Sequence, residues 1–437
     1  MNELTVASFF AGIGGFDLAF ERAGFKVNFQ CEINNFCQTV LKRHWPLTLL
    51  DDDISAVTSE SIPDATVWCA GFPCQDLSVA RGALKRQGLN GSRSGLFFHF
   101  IALAKKKQPP ILLIENVPGL FNSNNGRDFA ELLHTLNELR YAVSWRLLNS
   151  RYFGVPQSRP RVYICAWLKE PFLAGSTLFE DHSPAHSGKE RSAFMDTSWT
   201  SGPGPIVPKI AFCLAATSGR HTGTDWSRTY VSYTNRVRRL IPLECERLQG
   251  FPDNWTVTEN WPVDEERADS MRYHAIGNAV SVPVVQWVAA RIQTGIQGQD
   301  SQWSKSYQQF ILESLSRWPG LRGSTKIVGE LAAVRERSTK IIWPNAGVLW
   351  DGVFVGNKVS GSLHKPISSD LLDIIEHDIP NERYFLSSNA AEGILRRVDS
   401  QGRHLFPPLR QALERLSGKS AKTYRIETPA HLELGLF

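Results

Sequence analysis

At 437 residues, with 42% hydrophobic and 21% charged side chains, the chain has the composition of an ordinary globular protein and the length for two or three domains. A formal net charge of +5 excludes a polycation, so any grip on nucleic acid must come from local patches. No apolar run approaches the ~18 residues needed to cross a bilayer, no signal-peptide pattern is read, and seven cysteines form neither a CxxC pair nor a metal-ligand cluster, which fits a reducing cytoplasm.

Thr5–Phe10 reads as a buried strand running into Ala11-Gly12-Ile13-Gly14-Gly15. The amphipathic stretch from Phe16 to Ala23 closes at Gly24 as a helix does. Strand, glycine turn and helix let backbone amides approach a ligand at a strand's carboxyl end. The spacing is Gly-x-Gly-Gly, not G-x-G-x-x-G, which argues against an ordinary dinucleotide site. A second strand over Val27–Cys31 ends at Glu32, a position suited to ribose hydroxyls. Asp53 precedes Ile54 after an acidic run, and the plain alternative is a glycine turn with solvated acids.

Thr66–Ala70 is apolar and partly β-branched, a further buried strand, and Gly71 and Pro73 break it so that Cys74 falls at the mouth of a loop. A thiol placed there is held rigidly yet reaches a substrate, although a free cysteine is more often a small buried hydrophobe. From Ser78 to Leu96 the chain carries Arg81, Lys85, Arg86, Arg93 and four glycines, which suits a basic lid closing over phosphates. Ile111–Ile114 is another short strand, ending in Glu115-Asn116-Val117-Pro118-Gly119. Gln157-Ser158-Arg159-Pro160-Arg161 brings two arginines to the start of a strand. Arg239–Pro252 reads as a short helix and turn, and Ala275-Ile276-Gly277-Asn278-Ala279-Val280 closes the series.

These six ordered blocks closely resemble the C5-cytosine DNA methyltransferases, over about residues 4–293. The resemblance implies an α/β fold: a mostly parallel, doubly wound S-adenosylmethionine-dependent methyltransferase domain with a small irregular recognition region. It implies transfer of a methyl group from S-adenosylmethionine to C5 of cytosine in duplex DNA. Cys74 would attack C6 of a base flipped out of the stack. Glu115 would hold the base's Watson–Crick edge and supply a proton at the ring nitrogen, Arg161 would orient the base, and Arg159 would support Arg161; the alternative is a merely structural Glu115–Arg161 salt bridge. For the cofactor the resemblance implies Phe10 on the adenine, and Gly12, Gly14 and Gly15 along the methionine part. Glu32 would hold the ribose and Asp53 the adenine amino group, with Ile54, Pro73 and Asn278 completing the set. Many relatives have tryptophan where this chain has Ile33. Gln75, Ser78 and Arg93 would face the DNA.

The coarse organisation is a catalytic and cofactor-binding domain over 1–166, a target-recognition region over 167–238, a return to the catalytic domain over 239–293, a linker over 294–304 and a C-terminal module over 305–437. Strand candidates in the recognition region are Ile206–Ile210 and Thr229–Val231, and Ser218–Thr224 is a polar loop that could reach base edges. The C-terminal module carries 18 Lys+Arg against 14 Asp+Glu. It reads as helices over Tyr307–Arg317, Asp370–Glu376, Leu386–Arg397 and Leu409–Leu416, with an irregular stretch over Trp343–Lys365. Lacking a catalytic constellation, it is expected to be dispensable for chemistry; the alternative is that it packs on the core. The expected partners are duplex DNA and a cognate restriction endonuclease, the expected state a cytoplasmic monomer. Rival readings are an RNA methyltransferase and a catalytically dead DNA-binding protein.

Overall fold

The structure, a computed structural model, describes residues 3–72, 95–180, 197–199, 204–219, 225–258, 264–298, 307–322, 326–336, 339–378 and 380–418. Pro73, Cys74, Gln75, Ser78 and Arg93 lie outside the described residues.

One half of the central sheet is parallel. It comprises β1 (Thr5–Phe9), β2 (Lys26–Cys31), β3 (Leu49–Asp51), β4 (Val67–Ala70) and β5 (Ile111–Asn116), in the spatial order β3-β2-β1-β4-β5. Helices α1 (Gly15–Arg22), α2 (Asn35–His44) and α3 (Leu96–Lys107) lie between these strands in the chain. Successive strand residues feed opposite faces. Val67 and Cys69 join the core that holds Phe16 and Phe20, whereas Trp68 and Ala70 join the core that holds Phe97 and Phe100. A strand buried on both faces has no polar face, which is why β4 and the Ile111–Ile114 part of β5 read as continuous apolar runs.

The α/β fold class is as expected, but the sheet is mixed rather than mostly parallel. Beyond β5 come β7 (Pro160–Leu168) and β6 (Tyr141–Asn149), both antiparallel to their neighbours. A short connection over 150–159 joins β6 to β7, too short for the helical crossover that a parallel pair needs. Helix α4 (Arg127–Glu138) precedes β6, and α5 (Pro171–Leu178) follows β7.

A second, four-stranded antiparallel sheet contains β8 (Thr197–Trp199), β9 (Ile206–Pro208), β10 (Tyr230–Ser232) and β11 (Val237–Arg239). The chain then returns through α6 (Pro242–Gln249), α7 (Glu265–Asn278) and α8 (Val282–Gln297), the last packing beside α1.

The C-terminal stretch is not a separate module. After α9 (Tyr307–Arg317), strand β12 (Ile327–Glu330) and helix α10 (Leu331–Glu336) lead into β13 (Ala346–Trp350) and β14 (Val353–Asn357). Strand β13 pairs with β6, so the central sheet runs to ten strands. Trp145 Nε1 donates to the Pro344 carbonyl at 3.0 Å. Arg146, fully buried, donates to the carbonyls of Leu178, Ser360 and Ser362 at 2.8, 3.1 and 2.7 Å. The segment therefore supplies acceptors for a buried cation of the core, the alternative that the sequence left open.

Two local expectations are also corrected. The stretch read as irregular holds the β13–β14 hairpin, whose turn residues Asp351 and Gly352 have φ of 47° and 80°. Asp-Gly between apolar runs is a strong hairpin signal, so this element was legible. Asp370–Glu376 forms only a single 3-10 turn over Leu371–Asp373, capped by Asp370 Oδ1 accepting from Leu372 N. Two helices end the described chain: α11 (Ser388–Ser400), capped by Ser387, and α12 (Pro407–Leu416).

Candidate active site

Three strand ends and one loop converge beyond the carboxyl edge of the parallel strands. Glu115 sits near the end of β5 and is almost buried. Arg161, at the start of the antiparallel β7, reaches it, with Nε 3.0 Å from Glu115 Oε1. The antiparallel turn-back makes this possible, because β7 begins where β5 ends: Asn116 is opposite Val162. Arg161 Nη1 also donates to the Pro160 carbonyl at 2.8 Å.

The root of Cys74 is tied to the same place. Asn116 Nδ2 donates to the Phe72 carbonyl at 3.0 Å. A Cβ added at Gly71 would come within 3.8 Å of Glu115 Oε2, so the chain just ahead of Cys74 passes close to the carboxylate. Phe10 and Phe72 meet edge to face with centroids 6.4 Å apart, which links the glycine turn to that root.

Arg159 does not touch Glu115. Its fully buried guanidinium donates to the carbonyls of Leu214, Gly277 and Ala279 at 2.8, 3.0 and 2.8 Å. It thereby staples the segment around Leu214 to the closing Gly277-Asn278 block. Burial without a carboxylate partner lowers its pKa, and Arg161 lowers it further. Gly277 serves the same junction, since a Cβ there would lie 2.3 Å from the carbonyl carbon of Ala215.

Cys213 is a residue of this cluster that sequence reasoning did not single out. Its Sγ lies 3.4 Å from Arg159 Nη1 and 3.8 Å from Arg161 Nη2, bridging the two guanidiniums. Burial pushes the thiol up, but the two arginines outweigh it and hold the pKa below its ordinary value. No local signal marks this residue, because its neighbours lie more than 50 positions earlier. Gln157, also unassigned, is buried and accepts from Leu214 N at 2.9 Å while donating to Leu248 O and Gln249 Oε1.

The cofactor candidates gather at the other end of the same edge. Phe10 has φ of 56°, a strained conformation for a residue with a bulky side chain. It turns the chain off β1 into the glycines. Gly12 has φ of 58°, and a Cβ there would meet no protein atom within 4 Å. Its N–H donates to Glu32 Oε2 at 2.8 Å, and Glu32 Oε1 accepts from Asn34 N at 2.7 Å. Burial raises the pKa of this carboxyl. Gly14 and Gly15 answer instead to packing: a Cβ would collide with Trp45 at 2.3 Å and with Val280 at 2.7 Å.

Asp53 Oδ1 accepts from Ser55 N at 2.9 Å, which holds its carboxyl below the usual range. The Ile54 side chain belongs to the core around Phe9 and Phe29. Asn278 is exposed at the end of α7, and Ile33 is 71% exposed. A cleft of about 510 Å³ between the start of α2 and α7 is lined by Ile33, Asn34, Phe36, Met271 and His274 among others, of the size that takes a cofactor-sized molecule. Sequence reasoning singled out Ile33 there, but not Met271 or His274.

Residues 4–198 and 199–294 match the C-5 cytosine-specific DNA methylase family. The chain belongs to it. This methylase is 35% identical to the Type II methyltransferase M2.BsuMI of Bacillus subtilis over 307 residues, covering 66% of this chain and 75% of that protein. It is 28% identical to the Type II methyltransferase M.HhaI of Haemophilus parahaemolyticus, covering 68% of this chain and 96% of the relative. Its fold is similar to that of the S. pombe Dnmt2 methyltransferase, with a TM-score of 0.51 at 18% identity over 68% of this chain and all of the other. The methylase is thus a DNA (cytosine-5-)-methyltransferase of α/β fold, and the resemblance read from its six blocks holds.

Proposed function

We propose that the methylase takes its methyl group from S-adenosylmethionine and modifies cytosine through a covalent adduct between Cys74 and C6 of a flipped base. The observation that carries this reading is the convergence of Glu115, Arg161 and the Phe72 root of Cys74 within one polar cluster. S-adenosylmethionine supplies an electrophilic methyl when bound. The fit to this cofactor rests on Gly12, where nothing of the protein occupies the side-chain position. It rests equally on Glu32, whose half-buried carboxylate closes the glycine turn and suits ribose hydroxyls.

Attack by the Cys74 thiolate on C6 places electron density on C5, which makes a poor nucleophile reactive. Glu115 hydrogen-bonds the base edge and delivers a proton at the ring nitrogen as the C6–S bond forms. Arg161 orients both the carboxylate and the base, and Arg159 with Cys213 holds Arg161 in place. Because C6 cannot be reached inside a stacked duplex, the target base is extruded, and Gln75, Ser78 and Arg93 face the DNA as it leaves. Phe10, Asp53, Ile54, Pro73 and Asn278 complete the cofactor surround. The relatives' designation as Type II methyltransferases supports a role in restriction–modification, with an endonuclease cutting the same site; phage DNA protection is the other setting for the same chemistry.

The test is incubation with tritiated S-adenosylmethionine and either duplex DNA or tRNA, followed by trapping on DNA carrying 5-fluorocytosine. Label on DNA and a trapped adduct with the wild type but not with Cys74→Ser are expected. Label on tRNA alone, or an adduct that persists in the serine variant, contradicts the reading.

A further inference from the structure

The family match ends at residue 294, yet the chain beyond it completes the smaller sheet. Leu386 N donates to the Val237 carbonyl at 2.8 Å, and Phe385 bridges Arg238 at the edge of β11. Ala391, Ile394, Leu395 and Val398 form one helical stripe on α11. They bury themselves with Leu409 and Leu413 of α12 against Tyr230 and Val237, in a core separate from the two that flank the central sheet. The sheet of β8–β11 and the α11–α12 pair are therefore one structural unit made from two distant stretches of chain.

The tip of this unit is basic. The turn between α11 and α12, Gln401-Gly402-Arg403-His404, is exposed throughout. The Arg403 guanidinium carbon lies 4.4 Å from the centre of the Trp226 ring. Trp226 lies eight positions after Ser218 in the chain. Arg228, two residues further on, donates to the Ser218 carbonyl at 3.2 Å, on the turn that begins just after Cys213 of the active centre. Two nearby acids are engaged within the unit. Asp225 is buried and paired with Arg397 at 2.9 Å, and Asp399 is paired with Arg410 at 2.8 Å. Arg396 is exposed on α11. An arginine stacked on an indole is oriented through one face and keeps its N–H fork for phosphate oxygens.

We propose that the α11–α12 turn binds the phosphates of duplex DNA flanking the target cytosine, through Arg403 carried on Trp226 and through Arg396. The C-terminal stretch is then the second half of the DNA-binding surface. The proposal rests on the reading of the chain as acting on duplex DNA.

The experiment uses the full chain with Arg403→Ala, Arg396→Ala and the double substitution, assayed on duplex DNA between 50 and 200 mM salt. Each single change is expected to raise the KM for DNA roughly 3- to 10-fold, with kcat and cofactor affinity unchanged. The double variant is expected to flatten the log–log salt slope by about 2, close to one released counterion per phosphate contact. Arg403→Lys should recover most of the slope, because it keeps the charge. A double variant that melts like the wild type and shows an unaltered KM and salt slope overturns the proposal. If Arg403→Ala lowers the melting temperature through loss of the Trp226 contact, the solvent-exposed Arg396→Ala decides by the same two readouts. A wild-type chain that fails to methylate duplex DNA would instead sink the underlying reading.

Discussion

The side chain of Asn116 holds the backbone of Phe72, with Nδ2 donating to the carbonyl at 3.0 Å while its Oδ1 accepts from Val117 N at 2.9 Å. One buried amide thus fixes the strand that carries Glu115 to the chain two residues ahead of Cys74. Asn116→Ala should lower kcat about 5- to 100-fold, because a lost buried hydrogen bond costs roughly 1–3 kcal/mol and each ~1.4 kcal/mol is a tenfold change in rate. Single-turnover kinetics at saturating cofactor are the check, and an unchanged rate would show that Phe72 is positioned without the amide.

Cys213 joins Arg159 to Arg161 through one sulfur. Removing it in Cys213→Ala should reduce turnover several-fold, in line with about 0.5–1.5 kcal/mol for a typical hydrogen bond. Cofactor affinity should stay constant, and Cys213→Ser should recover part of the rate. Equal losses in kcat and in cofactor binding would point to a general structural role instead.

The two acids Glu32 and Glu115 should separate in function. Glu32→Ala leaves Gly12 N and Asn34 N without their acceptor and should weaken S-adenosylmethionine binding by about 1–3 kcal/mol. Glu115→Gln should cut turnover with little change in cofactor affinity. Isothermal titration of both variants, beside the methylation rate, reads the difference.

Asp17 provides a pH prediction. It is fully buried beside Gln30, whose Nε2 donates to it at 2.9 Å, and burial raises its pKa to about 6. Between the unfolded value of 3.8 and about 6 the folded state holds a proton that the unfolded state releases. The Asp17 contribution to stability therefore falls as pH rises through that window and then levels off. By the same linkage the stability of Asp17→Asn relative to wild type should rise between pH 4 and neutral pH, by an amount on the order of 2–3 kcal/mol. Denaturant unfolding of both proteins at pH 4, 5, 6 and 7 measures it, and a difference independent of pH would count against a buried titrating carboxylate.

A chain ending near residue 300 should fail to fold stably, in contrast with the dispensability expected from its lack of catalytic residues. The cut strips β13 from β6 and takes two of the carbonyl acceptors from buried Arg146. Leaving a buried charge underpaired costs about 3–5 kcal/mol, against a total stability of about 5–15 kcal/mol. Arg146→Ala in the full chain should lower stability through the same network. A soluble, cooperatively melting truncation that methylates DNA would refute this.

The positions of Glu32 and Glu115 at strand ends and of Arg161 at a strand start were legible, because a strand's boundary is a local event written in hydrophobic runs and in Gly or Pro. The glycine turn, the Ser387-capped helix and the family itself were legible on the same terms; the Asp351-Gly352 hairpin carried its signal too, but the whole stretch holding it was read as irregular. What only the tertiary structure decided is which of these surfaces meet. Arg159 proved to be a staple across Leu214, Gly277 and Ala279, Cys213 a bridge between two arginines, and the C-terminal helices the support of the smaller sheet. Each of these contacts joins residues more than 50 positions apart, and the pairing of Arg146 with Ala346 spans far more. An apolar stripe or a buried arginine states in sequence that it must be covered, because exposed hydrocarbon and unpaired charge are costly. It carries no mark of its partner, since burial is non-directional and a carbonyl acceptor is the same on every residue.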